Sequence, residues 1–349
     1  MTEAIRQPDI GGPAQPMLIV RDLQRHFVIR GQTRRRKDVV RAVDGVTFEV
    51  AKGETLGVVG ESGCGKSTTA RLLMHLTPPD RGEIILDGEK VGDPRGVSVR
   101  DLRRSVQMVF QDSFASLNPR LTIRDSVAFG LRVNGQPATT ARLNADAMLR
   151  MVGLTPETFS DRYPHELSGG QRQRVNIARA LAMSPRVLIL DEAVSALDKS
   201  VEAQVLNLLL ELKERLTLTY LFISHDLAVV RYVSDRVVVM YLGKIVEVGP
   251  VGAIYDRPHH PYTRALLASR LSMNPKQRIS APPLTGDPPN PIDPPSGCRF
   301  RTRCPIAEAV CALAEPRLAR VDAAHDVACH ACDAGSGHTL ARLTELEGA

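Results

Sequence analysis

At 349 residues, 43% hydrophobic and 24% charged, the chain has the composition of an ordinary globular protein, with core-forming capacity for one large domain or two to three smaller ones. A formal charge of +6 is mild for this length and demands neither nucleic acid nor acidic lipid as a partner. No apolar run reaches the ~18–20 residues that cross a bilayer, and the start at Met1 lacks the basic-then-apolar layout of a secretory signal. The protein is therefore expected in the cytosol, with its six cysteines reduced.

In chain order, residues 1–16 are Pro-, Gly- and polar-rich and are expected to be disordered. Leu18 to Phe27 and Val46 to Val50 read as strands, with the basic run Arg34-Arg35-Arg36-Lys37 between them as a solvated hairpin tip. Leu56 to Val59 is a short apolar strand, and Thr68 to Leu76 reads as a helix. Between them, Gly60 to Thr68 spells G-E-S-G-C-G-K-S-T, a full match to the phosphate-binding pattern G-x-x-x-x-G-K-[ST]. Gly60, Gly63 and Gly65 free the backbone so that N–H groups of this loop, Ser62 and Cys64 included, can turn toward a phosphate chain. Lys66 is placed to reach the β- and γ-phosphates, and Ser67 offers a hydroxyl to Mg²⁺, with Thr68 opening the helix behind it.

Gly82 to Gly88 reads as a strand and turn, and Leu102 to Phe110 leads to Gln111. Residues 112–170 then turn helical, as an insertion between two halves of a nucleotide-binding core. Leu167-Ser168-Gly169-Gly170-Gln171 opens another helix, with Ser168 as its N-cap. Val187 to Leu190 is a continuous apolar run fit for a parallel strand buried on both faces, and it ends in Asp191-Glu192. A carboxylate at that strand end can hold Mg²⁺, and Glu192 beside it is the natural general base for a water attacking the γ-phosphate. Val201 to Leu216 is helical, Tyr220 to Ile223 is a strand followed by His225, and Val237 to Tyr241 with Lys244 to Val248 form a hairpin about Gly243.

In this order the motifs resemble the ABC ATPases over residues 17–250: the phosphate loop, Gln111 at the Q-loop, Ser168 to Gln171 at the signature, Asp191-Glu192, Asp198 in the D-loop Ser195 to Asp198, and His225 as the switch histidine. The resemblance implies an α/β P-loop (RecA-like) core with an antiparallel β subdomain and an α-helical subdomain. It also implies that two such cores face each other, so that ATP lies between one phosphate loop and the partner's Ser168, Gly169 and Gly170. Gln111 would sense the γ-phosphate and the metal. Phe27 matches the aromatic position that stacks on adenine, and a core phenylalanine is the competing reading.

Within that family, Phe110 to Pro119, Tyr163 to Glu166, Phe222 to Leu227 and His260 to Leu267 resemble the ATP-binding subunits of bacterial dipeptide and oligopeptide importers, and the second of their two paired ATPases in particular. Ala193-Val194 replaces the common Pro-Thr and leaves the carboxylates intact. The resemblance implies a second, related ATPase subunit, two integral membrane permease subunits, an extracytoplasmic peptide-binding protein, no nucleic acid, and a peripheral position on the cytoplasmic face of the cell membrane. Nickel and opine importer ATPases share most of these motifs. A soluble ABC ATPase of translation or DNA repair is the reading from another class.

Residues 251–297 combine a helix from Tyr262 to Leu271 with a Pro-rich stretch that reads as a stiff tether, from which a cysteine-rich tail, residues 298–349, would hang. Cys298, Cys304, Cys311 and Cys329 are spaced C-x5-C-x6-C-x17-C. Importer ATPases of the resembled type carry a [4Fe–4S] cluster on such an arrangement. Four thiolates also suit zinc, and the Cys329/Cys332 C-x-x-C pair keeps that reading and unligated thiols open.

Overall fold

A computed structural model describes residue 12 and residues 15–30, 37–269 and 289–341. Most of the N-terminal stretch expected to be disordered, the basic residues Arg34 to Arg36 and residues 270–288 of the expected tether lie outside the described residues.

A four-stranded antiparallel sheet, order β2-β1-β4-β5, is built from β1 (Leu18–Arg30), β2 (Lys37–Val50), β4 (Arg81–Leu86) and β5 (Glu89–Lys90). The second strand starts well before the expected Val46. Its added half pairs residue for residue with β1 from Arg30↔Lys37 to His26↔Arg41. A register shift between Arg25 and His26 interrupts the period-2 alternation beyond it, so that half is held by pairing with the neighbouring strand rather than announced by its own pattern.

The main sheet has eight strands, in the order β11-β12-β10-β9-β3-β8-β7-β6. Its parallel part comprises β3 (Thr55–Val59), β6 (Val106–Val109), β7 (Val187–Asp191), β8 (Thr219–Ile223) and β9 (Arg236–Tyr241). Every residue of β3, β7 and β8 is buried, as expected of parallel strands covered on both faces. Successive side chains feed two different cores. Leu188, Leu190, Tyr220 and Phe222 pack with the helical region. Val187, Ile189, Leu221 and Ile223 pack with the antiparallel sheet. Truncating any one of these to Ala would cost about 2–5 kcal/mol.

One layer is helical. α1 (Lys66–Leu73) follows the phosphate loop, and α2 (Val99–Ser105), capped by the Ser98 hydroxyl, precedes β6. Then come α3 (Ile123–Val133), α4 (Ala138–Met151), α5 (Pro156–Phe159) and α6 (Gly169–Leu181). Arg124 of α3 ties this region together, with Nε 2.9 Å from Asp146 and Nη1 2.9 Å from Asp161. α7 (Lys199–Leu216) and α8 (Leu227–Val233) complete the core crossovers. Among the described residues no helix is long and apolar enough to cross a membrane.

The described part of the C-terminal region packs against the core. After β10 (Lys244–Pro250) the chain forms α9 (Val251–Asp256) and α10 (Pro261–Ala268), and it is described again from residue 289. Beyond α11 (Ala309–Leu313), the strands β11 (Ala319–Asp322) and β12 (His325–Val327) extend the main sheet through Glu247↔Val327. Phe300 is buried in the same core as β9. The physical reason is an open edge. β10 would otherwise present unpaired backbone groups, and β12 covers them.

Candidate nucleotide site

The phosphate loop turns sharply between β3 and α1, and its glycines are needed for two reasons. A Cβ at Gly60 (φ 150°) would strike the Met240 carbonyl, and one at Gly65 (φ 108°) would strike the Ala42 carbonyl. Gly63 has open space but a φ of 77°, which only the backbone freedom of glycine makes easy. Lys66 is buried at the start of α1, with Nζ 2.7 Å from the Gly60 carbonyl and 3.0 Å from that of Glu61. Cys64 is also buried, and its thiol is pushed up by burial and drawn down by Lys66. It is held neutral, which agrees with a backbone role for this residue.

Ser67 Oγ donates to Asp191 Oδ1 at 3.0 Å. The Asp191 carboxyl is raised above its ordinary range by burial, with the Ser67 hydrogen bond opposing and Glu192 reinforcing. A hydroxyl and a desolvated carboxylate brought together at a strand end fit a Mg²⁺ ion, because both are hard oxygen donors. Glu192 follows in the left-handed region (φ 49°), and its N–H donates to the Ile223 carbonyl at 2.9 Å. That conformation turns its carboxylate away from the strand, where Oε2 accepts Gln111 Nε2 at 2.9 Å and lies 3.3 Å from His225 Nδ1. Gln111 arrives from the end of β6 and His225 from the end of β8, so three strand ends converge on one oxygen.

Apart from Asp191, which lines a neighbouring groove, these groups rim a cavity of about 370 Å³ lined by Ser62, Gly63, Gly65, Lys66, Ser67, Thr68, Gln111, Glu192 and His225, with Val40 and Ala42 closing one side. It falls in the size range of small-molecule sites. A second groove of about 710 Å³ opens beside it, bounded by Phe110, Phe129, Met183 and Gln111.

Not every expected residue joins the cavity. Ser168 caps α6 in a reciprocal box: its Oγ accepts the Gln171 N–H at 3.3 Å, and Gln171 Oε1 accepts the Ser168 N–H at 2.9 Å. A Cβ on Gly170 would collide with Val201 of α7, whereas Gly169 has room. This turn, with Ser168 exposed, does not line the phosphate-loop cavity. Nor does Asp198, which caps α7 by accepting the Val201 N–H at 3.0 Å. Phe27 is half-buried on β1, with the Arg25 guanidinium 4.8 Å from its ring centroid, and it too lies outside the cavity lining.

The cysteines of the C-terminal region come near one another. The Cys298 thiol is pushed up to about 12, by burial first and then by Cys329, Cys311 and Cys304. Cys298 N–H also donates to the Cys311 carbonyl at 2.8 Å. The Cys329 thiol hydrogen-bonds Cys332, which raises Cys329 and lowers Cys332. Among the described residues no three His, Cys, Asp or Glu side chains stand close enough together to hold a metal ion.

Sequence reasoning passed over Glu61, whose carboxylate meets Arg303 and whose N–H meets the Tyr262 hydroxyl. The alternation Arg299, Arg301, Arg303 was the only sign of this, and it names no partner.

Comparison with known proteins agrees with this geometry. The ABC transporter family matches residues 43–195, and the family described as oligopeptide/dipeptide transporter, C-terminal region, matches residues 246–311. The oligopeptide transport ATP-binding protein AppF of Bacillus subtilis is 48% identical over 325 residues, covering 90% of this chain and 97% of its own. A putative peptide import ATP-binding protein of Brucella ovis is also 48% identical, with the same coverage, over 315 residues. Among solved structures, the ATP-binding cassette MJ0796, a dimer in a post-hydrolysis state bound to ADP and Pi, superposes with a TM-score of 0.59 at 29% identity, covering 67% of this chain and 99% of that one.

Proposed function

The chain belongs to the ATP-binding subunits of peptide-importing ABC transporters, and on that premise we propose how its residues divide the work of ATP hydrolysis. It is an ATPase that uses ATP and Mg²⁺ and works with membrane permeases and a substrate-binding protein. The backbone of Gly60 to Thr68 and the Lys66 ammonium cradle the β- and γ-phosphates. Ser67 and Asp191 hold the Mg²⁺, which supplies positive charge to the phosphate oxygens when bound.

Glu192 is the general base. Its Oε2, shared with Gln111 and His225, carries the reading, because one acceptor at the cavity mouth is oriented from two other strand ends. His225 positions that carboxylate and contacts the γ-phosphate, and its side chain, 62% exposed, is open to a second subunit. Gln111 lines both the cavity and the neighbouring groove, so it links phosphate occupancy to whatever binds there. Phe27 stacks on adenine.

Ser168 to Gln171 and Asp198 serve the site of a second, related ATPase, since they lie away from this chain's own cavity. The permease would dock in the groove beside Gln111, where Phe110 and Phe129 are 38% and 57% exposed, apolar surface that needs a cover. On this reading the protein would sit on the cytoplasmic face of the cell membrane. In the reconstituted transporter, Glu192→Gln should lower turnover by roughly 10²–10⁴ while ATP still binds. Hydrolysis within tenfold of the native rate would remove Glu192 from the role.

For the cysteines we favour a [4Fe–4S] cluster on Cys298, Cys304, Cys311 and Cys329. What supports this is that Cys304, Cys311 and Cys329 all act on the Cys298 thiol; the described side chains do not themselves stand in a metal-holding group, so the cluster would have to draw them together on binding. Anaerobically purified protein should carry about four irons per chain and absorb visibly. Stoichiometric zinc in a colourless protein would reverse the assignment.

A further inference from the structure

Glu61, the second residue of the phosphate loop, has all its polar groups engaged. Its carbonyl accepts Lys66 Nζ at 3.0 Å and the Cys64 N–H at 3.2 Å. Its N–H donates to the Tyr262 hydroxyl at 2.8 Å. Its carboxylate receives the Arg303 guanidinium in parallel, Nη1–Oε2 at 2.8 Å and Nη2–Oε1 at 3.1 Å. Two of these grips come from beyond the nucleotide core, from α10 and from the segment between Cys298 and Cys304.

Neither is a loose surface contact. The Arg303 side chain is 5% exposed and also reaches the Tyr241 hydroxyl at 3.4 Å. Tyr262 is fully buried against Tyr241 and Phe300, with ring centroids 4.6 and 5.5 Å away. Arg299, four residues before Arg303, pairs with Asp44 and donates to the Leu242 carbonyl. The next residue, Gly243, donates its N–H to the Cys64 carbonyl at 2.8 Å. An exposed ion pair contributes little, but a bidentate, desolvated one fixes geometry, and removing one partner strands the other.

We propose that Arg303, seconded by Tyr262, is a positioning residue of the nucleotide site: it holds Glu61 so that the phosphate loop is formed before ATP arrives. The cysteine-bearing segment is therefore part of the nucleotide grip. The argument is one of pre-organisation. A loop already shaped for the triphosphate loses less freedom on binding, so releasing it weakens affinity without touching Glu192, Gln111 or His225. The inference rests on the reading of Gly60 to Thr68 as the phosphate cradle.

The test measures binding of a fluorescent ATP analogue to the full chain, and steady-state hydrolysis by the assembled transporter. Arg303→Ala should raise the Kd about tenfold and raise KM in parallel, with kcat within twofold. Arg303→Lys keeps the charge but loses the fork, so it should fall between the two. In a Glu61→Gln background, Arg303→Ala should change the Kd by less than twofold, because the two act as one unit. Native affinity in Arg303→Ala, or a full tenfold loss repeated in the Glu61→Gln background, overturns the proposal. If Arg303→Ala does not fold, native affinity in Arg303→Lys overturns it equally. Lys66→Ala, run alongside, separates the premises: if it binds like the native chain, the cradle reading itself has failed and the inference falls with it.

Discussion

His260 is a single residue whose titration should be visible in the stability of the whole chain. It is buried, and burial pushes its imidazole down to about 4 while Glu247 pulls the other way. Its Nδ1 accepts the Tyr262 N–H at 3.0 Å, which caps α10 and needs the neutral ring. The unfolded chain takes up this proton near pH ~6.5, the folded chain only near 4. Between those values the unfolded state binds more protons, so stability rises with pH across that window, by on the order of 3 kcal/mol. The buried Glu247 adds a slope of the same sign. Burial raises its carboxyl, but the His325 hydrogen bond and others outweigh this and hold it below its ordinary range. Its stabilisation is therefore present at neutral pH and lost in acid. His260→Asn keeps a capping acceptor without a titrating ring. Melting temperatures of this variant should vary less between pH 6.5 and 4 than those of the native chain, and equal slopes would assign the dependence elsewhere.

At the scale of elements, what the sequence disclosed followed how local each signal was. The phosphate loop, the Ser168 cap and the apolar runs of β7 and β8 are written in contiguous residues, and they stand where they were expected. The helix read from Tyr262 to Leu271 is described as Pro261–Ala268, opened by a proline and the His260 cap. The elements that escaped depend on a pairing partner rather than on their own pattern. The first half of β2 exists because β1 pairs with it, and β12 exists because β10 offers an edge. The same holds inside the site. That Gln111, Asp191-Glu192 and His225 follow apolar strands was readable, and a parallel sheet brings its strand ends to one side. That Arg303 would meet Glu61 was not, since 242 residues separate them and no periodicity links them.

At the scale of the molecule, the arrangement of the signature decides how many chains make one reaction centre. The Ser168 to Gln171 turn opens α6 outside the cavity formed by the same chain's phosphate loop. A helix N-terminus with a glycine-lined approach is an anion site, so the turn is suited to a phosphate carried by another subunit. On the proposed pairing, ATP would close the two subunits only to the extent that it binds the closed state more tightly than the open one. Gly169→Asp tests this directly. Its Cβ would come no closer than 3.7 Å to Leu197, an ordinary contact, and a carboxylate in the first turn of α6 favours the helix, so the variant should fold at native stability. The same carboxylate would repel a γ-phosphate presented to it. The isolated chain should therefore bind ATP within twofold of the native Kd, because its own cradle is untouched. In the assembled transporter, the site that this signature completes should lose its hydrolysis, by roughly 10²-fold or more, as expected when an electrostatic stabiliser is replaced by a like charge. If Gly169→Asp instead weakened ATP binding by the isolated chain, the signature would be acting on its own phosphate loop. Native turnover in the assembly would take the signature out of the reaction altogether.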